Sequence, residues 1–154
     1  MVQAGLLPRL RGRRWLVQPV LTPGADPMAA LATTFGDARD AERLRRAPSA
    51  LPELVAQERR RPGRRDARVL ITVDQLEELF TLAGSDQRDL FLSALSAALR
   101  ADSRLWVVAT VRIEFLRSFL ETGHAALFAR PIALAPPRSA ATPSCSQPSP
   151  PPRH

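Results

Sequence analysis

Apolar residues recur along this chain with helical spacing in some stretches and as unbroken runs in others. Met28, Leu31, Ala32 and Phe35 fall at i, i+3, i+4 and i+7, the positions of one helix face, and Phe91, Ala94, Leu95 and Ala98 form a similar stripe. Leu51, Leu54 and Val55 mark one side of a charged helical stretch over residues 50–61, and a second charged stretch covers 38–46. Leu76, Leu79 and Phe80 predict a short helix, and Leu116, Phe119 and Leu120 another. Two runs are continuous instead: VLITV at 69–73 and LWVVATV at 105–111. Such runs predict strands buried on both faces of a parallel sheet. A third run, 15–21, contains Pro19, which removes a ladder hydrogen bond and confines it to an edge.

Punctuation fits these elements. Asp26 followed by Pro27 predicts a capped helix start after the turn Thr22-Pro23-Gly24, and Ser85 predicts a second cap. Residues 2–10 read as the end of a helix stopped by Gly12. Strands alternating with amphipathic helices predict an α/β domain over residues 1–130, with helices on both faces of a parallel sheet. Residues 131–154 hold eight of the 15 prolines and no acidic residue, and read as a Pro/Ser-rich disordered tail.

Composition removes several chemistries. All 22 basic residues are arginine, so the chain offers no lysine for a Schiff base or a phosphate-gripping loop. A single cysteine, Cys145, excludes an intrachain disulfide, and His124 and His154 are too few for a histidine-based metal centre. No apolar run reaches the roughly 20 residues of a membrane span and no signal peptide is visible, so a cytoplasmic chain is expected. The formal charge of +7 could indicate nucleic acid or acidic membrane. The run Arg59-Arg60-Arg61-Pro62-Gly63-Arg64-Arg65, however, lies beside Glu58 and Asp66 and has no interleaved aromatic residue. It reads as a solvated loop, which disfavours nucleic acid as a partner.

Two strand ends carry candidate chemistry. The run 69–73 delivers Asp74, followed by Glu77 and Glu78. A carboxylate at the end of a buried strand can hold Mg²⁺, and a second nearby can orient an attacking water. Asp74 could equally cap the next helix. The run 105–111 delivers Arg112, which could reach a γ-phosphate or pair with Glu114 or Asp74.

Taken together, VDQLEELF at 73–80 resembles the DQxEELF signature of the novel STAND NTPases, bacterial signal-transduction ATPases. VQAGLLPRL at 2–10 resembles the segment that follows Walker A in that family, residues 15–27 its second strand and turn, and TVRIEFL at 110–116 its sensor strand, with Glu114 where an aspartate is usual. The resemblance implies an incomplete P-loop NTPase of the additional-strand type, a three-layer sandwich whose parallel sheet has about three strands here. It implies ATP and Mg²⁺ as family cofactors, Asp74 as the metal-side carboxylate, Glu77 or Glu78 positioning water, and Arg112 sensing the γ-phosphate. Walker A would precede Val2, so the expectation is a truncated fragment that does not hold or hydrolyse ATP alone. The sensor strand, central in the family, becomes an exposed edge that invites self-association or a protein partner. The alternative is a non-enzymatic interaction protein that uses this edge, or the arginine-rich loop, to bind a protein or nucleic acid.

Overall fold

The computed structural model describes residues 14–128. The expected helix at 2–10 and tail at 131–154 lie outside them. Three strands, β1 (Trp15–Val17), β2 (Arg68–Val73) and β3 (Leu105–Ala109), form one parallel sheet in that order. Leu16 stands opposite Val69, Val69 opposite Leu105, and Val73 opposite Ala109. The chain passes from β1 to β2 through α1 (Pro27–Thr34), α2 (Asp40–Arg46), a 3₁₀ turn (Pro48–Ala50) and α3 (Leu51–Arg60). It passes from β2 to β3 through α4 (Glu78–Thr81) and α5 (Ser85–Ala101). After β3 come α6 (Ile113–Leu120) and a 3₁₀ turn (Ala125–Phe128).

In α1, α3 and α5 the predicted faces are buried, Phe35 only partly; in α6 only Phe119 is, while Leu116 and Leu120 are 38% and 52% exposed. Met28, Leu31 and Ala32 of α1, Leu51, Leu54 and Val55 of α3, and Phe91, Ala94, Leu95 and Ala98 of α5 join one core. Alternate strand residues Leu16, Val69, Ile71, Val73 and Leu105 complete it. Each of the Val, Leu, Ile, Met and Phe side chains among them stabilises the fold by roughly 1.5–3 kcal/mol relative to exposure. Side chains alternate across a strand, so Trp15, Arg68, Leu70, Thr72 and Trp106 belong to the opposite face. Parallel connections are right-handed almost without exception, and two adjacent right-handed steps in one direction put both sets of connecting helices on the same side of the sheet. Among the described residues, α1, α3 and α5 therefore form a single helical layer on the core face.

Local chemistry explains the starts and stops. Asp26 caps α1, its Oδ1 accepting from the Ala29 N–H at 3.1 Å, with Pro27 at the first helical position. β1 lies at an edge of the described sheet, as Pro19 predicts, but covers only 15–17 of the expected run 15–21; the chain rejoins the sheet only through an isolated bridge from Leu21 to Val73. Two expectations are corrected. Gly84, extended, rather than Ser85, caps α5: the Gly84 carbonyl accepts from the Arg88 N–H, while the Ser85 hydroxyl turns to Asp86. And β3 is neither buried along its length nor seven residues long. It ends at Ala109 because the Thr110 carbonyl leaves the ladder to accept from Leu76 N–H, and Trp106 is 36% exposed because the strand lies at the rim of the described sheet. No helix among the described residues is long and apolar enough to cross a membrane.

α6 has two unlike faces. Phe119 is fully buried and meets Phe80 edge-on, ring centroids 4.6 Å apart, while Ile113 is 84% exposed. Phe119→Ala is expected to lower stability by about 3–5 kcal/mol and Ile113→Ala by less than about 0.5 kcal/mol, read as urea midpoints. Equal losses would mean that α6 is packed differently.

Candidate functional site

The residues singled out in the sequence converge at the C-terminal ends of β2 and β3. Asp74 follows the last residue of β2, and the register that sets Val73 opposite Ala109 sets Asp74 beside Thr110. The Thr110 hydroxyl donates to Asp74 Oδ1 at 2.5 Å and accepts from the Gln75 N–H at 2.9 Å. The Thr110 N–H donates to the Val73 carbonyl, and its own carbonyl accepts from the Leu76 N–H, both at 2.9 Å. The Asp74 N–H donates to the Leu21 carbonyl at 2.8 Å, which ties the same corner to the chain leaving β1. Gln75, between these bonds, has φ of 56°, a left-handed conformation that costs a side-chain-bearing residue energy and persists because the surrounding bonds determine it.

Glu77 and Glu78 point to different partners. Glu77 lies at the start of α4, its side chain only 12% exposed, and Oε1 meets Arg112 Nε at 3.3 Å. Its Oε2 accepts from the Arg112 backbone N–H, also at 3.3 Å. Arg112 caps α6 from an extended conformation, three residues beyond β3, with its side chain 69% exposed. Glu78 Oε2 accepts from the Gly24 N–H at 2.9 Å. Gly24 has φ of 60°, which glycine adopts without the steric cost of a Cβ.

Asp74, Glu77, Glu78 and Arg112 thus share one edge. Neither alternative reading is the one found: Asp74 does not cap α4, whose N-cap residue is Glu77, and Arg112 pairs with Glu77 rather than with Glu114 or Asp74. Two members of the edge escaped the sequence reading. Thr110 carried a signal, a hydroxyl residue in strand register with Asp74. Gly24 carried none, since its bond to Glu78 spans 54 residues.

Asp74 Oδ2 accepts no hydrogen bond among the described residues, and no group of three or more His, Cys, Asp or Glu side chains there could hold a metal ion. One partly buried carboxylate with a free, oriented oxygen suits Mg²⁺, which takes one or two carboxylates and completes its shell with water and phosphate oxygens. A site for a metal needing several protein ligands does not fit. Thr110→Val is expected to cost about 1–3 kcal/mol in urea unfolding, because Gln75 N–H and Asp74 both lose a partner, whereas Thr110→Ser keeps most of that stability.

No curated protein and no solved structure matches the chain. Residues 1–143 match the family Novel STAND NTPase 1, a span that takes in β1, the Asp74 edge and Arg112. The chain belongs to the novel STAND NTPase 1 family.

Proposed function

We propose that this chain supplies the metal-facing and γ-phosphate-sensing edge of a STAND-type nucleotide switch, and that its 154 residues alone neither hold ATP tightly nor hydrolyse it. The observation that carries the reading is the placement of Asp74 and Arg112 at the ends of adjacent parallel strands, with Glu77 between them. Ligands in open α/β sheets bind beyond the carboxyl ends of the strands, which is where these groups stand.

In this reading Asp74 Oδ2 faces Mg²⁺, while Thr110 holds the carboxylate plane through Oδ1. Bound Mg²⁺ neutralises charge on the transferring phosphoryl group. Arg112 is exposed enough to reach a γ-phosphate, and the phosphate competes with Glu77 for the guanidinium. Loss of that pair frees Glu77 Oε1 to orient water, while Oε2 keeps the Arg112 backbone N–H. Sensing and water positioning are then one event. Glu78 has Oε1 open but spends Oε2 on the turn at Gly24, so its position is fixed by structure. The P-loop NTPase sandwich with its third layer is part of this proposal, and so is a phosphate-gripping lysine from outside these 154 residues, which contain none.

A second reading, self-association, is favoured by one observation: among the described residues β3 pairs only with β2 and leaves its outer edge free. Sedimentation equilibrium would then show mass rising with concentration.

Titration calorimetry tests the first reading. Mg²⁺–ATP added to the chain is expected to give no saturable heat below about millimolar, a binding free energy weaker than about 4 kcal/mol. Micromolar affinity that Asp74→Asn abolishes would overturn the claim that the chain is incompetent alone.

A further inference from the structure

The opposite end of the sheet is chemically unlike the Asp74 edge. Here the three strands begin, and the fold gathers arginines that the sequence holds far apart. The Arg14 carbonyl accepts from the Arg68 N–H at 2.8 Å, and the Arg104 carbonyl accepts from the Val69 N–H at 3.0 Å. The Arg104 guanidinium donates to the Arg65 carbonyl at 3.1 Å, which brings the loop after α3 to the same end.

The acidic residues of this end are already engaged. Glu58 meets Arg61 at 3.0 Å, Asp102 accepts from Arg59 at 2.9 Å, and Asp66 lies 3.8 Å from Arg104. Arg14, Arg60, Arg64, Arg65 and Arg68 are exposed and have no carboxylate partner among the described residues. Residues 14–128 hold 16 arginines and all 15 acidic residues, so their net charge is only +1. Five unneutralised cations at one end are therefore a segregation of charge, not a reflection of overall composition.

Aromatic surface lies against one of these cations. Arg68 Cζ sits 5.5 Å from the centre of the Trp15 ring. Trp15 meets Trp106 edge-on across β2, centroids 5.9 Å apart and planes at 66°, and Trp106 is 36% exposed. The arginine run has no interleaved aromatic residue in the sequence; the sheet supplies two from other strands.

We propose that the strand-start end of the sheet binds single-stranded nucleic acid, with the unpaired arginines on phosphates and Trp106 offering a face to a base. The cations alone would suit any polyanion. The indole pair beside them favours an unpaired base, because stacking on an aromatic ring is sequence-tolerant and requires a base that is not already stacked in a duplex. The site is remote from Asp74 and Arg112 and does not depend on nucleotide switching.

The chain contains only two tryptophans, and both belong to this surface, so intrinsic fluorescence reports on it alone. Titrating the full chain with dT20 or U20 in low salt is expected to quench that fluorescence saturably. The logarithm of affinity should fall with the logarithm of salt at a slope of at most about 3.5, since each phosphate contact of a single strand contributes about 0.7. Arg64→Glu with Arg65→Glu should weaken binding more than about tenfold and lower the slope by about 1.4. Trp106→Leu should weaken dT20 binding by about fivefold to a hundredfold, with Trp106→Phe recovering most of it. Inorganic polyphosphate, which has charge but no bases, tests the proposal without any variant: on the unaltered chain it should bind more weakly than dT20 at equal charge and leave the fluorescence nearly unchanged. Polyphosphate or phosphatidylserine vesicles binding as tightly as dT20 would overturn the proposal in favour of a general polyanion surface. Absence of any dT20 or U20 binding in low salt would overturn it outright.

Discussion

Adjacent parallel strands have no hairpin to fix their ends together, and in this protein that duty falls on Thr110. Its hydroxyl, amide and carbonyl make four hydrogen bonds, to Asp74, Gln75, Val73 and Leu76. Everything at the carboxyl edge follows from that junction. It sets the plane of the Asp74 carboxylate, stops β3 at Ala109, and aims the chain so that Arg112 arrives opposite Glu77. It also holds Gln75 in a left-handed conformation that the isolated peptide would leave. Strain of this kind is tolerated where several bonds agree on one geometry.

The two ends of the sheet have opposite electrostatic characters, and both arise from the parallel topology. Parallel strands bring every start to one end and every finish to the other. In this chain the finishes carry Asp74 and the glutamates of α4, and the starts carry Arg14, Arg68 and Arg104. The sheet is short, about 20 Å end to end at 3.3 Å per residue, so the two characters are close yet separated by more than a Debye length at physiological salt. The charges at one end therefore bias those at the other only weakly.

Much of this was legible in the sequence, for reasons that are themselves physical. The α1, α3 and α5 faces are set by helical periodicity and emerged with their predicted residues buried, Met28, Leu54 and Phe91 among them. Asp26 and Pro27 form a local cap and needed no tertiary context. The sequence misled at β3, because an apolar run reads the same whether its flank is covered or bare. The Glu77–Arg112 pair and the approach of Trp15 to Trp106 were invisible for a different reason. They join residues 35 and 91 positions apart, and only the pairing register of three strands decides that they meet. Ser85 shows the limit of local reasoning: a hydroxyl residue at a helix start is a capping signal, yet a glycine one position earlier holds that place.

The bond from Gly24 to Glu78 has a mechanical consequence. Gly24 lies two residues ahead of Asp26, whose side chain caps α1, and Glu78 opens α4, one residue after Glu77. A hydrogen-bonded path therefore runs from the carboxyl edge into the helical layer. If α4 shifts when Glu77 changes partner, the tug passes through Glu78 to the Gly24 turn and on to the first turn of α1. The hinge of such a lever is Gly24, left-handed and without a side chain, so its stiffness can be tuned by chemistry at one position while the core packing of Met28 and Leu31 is left intact.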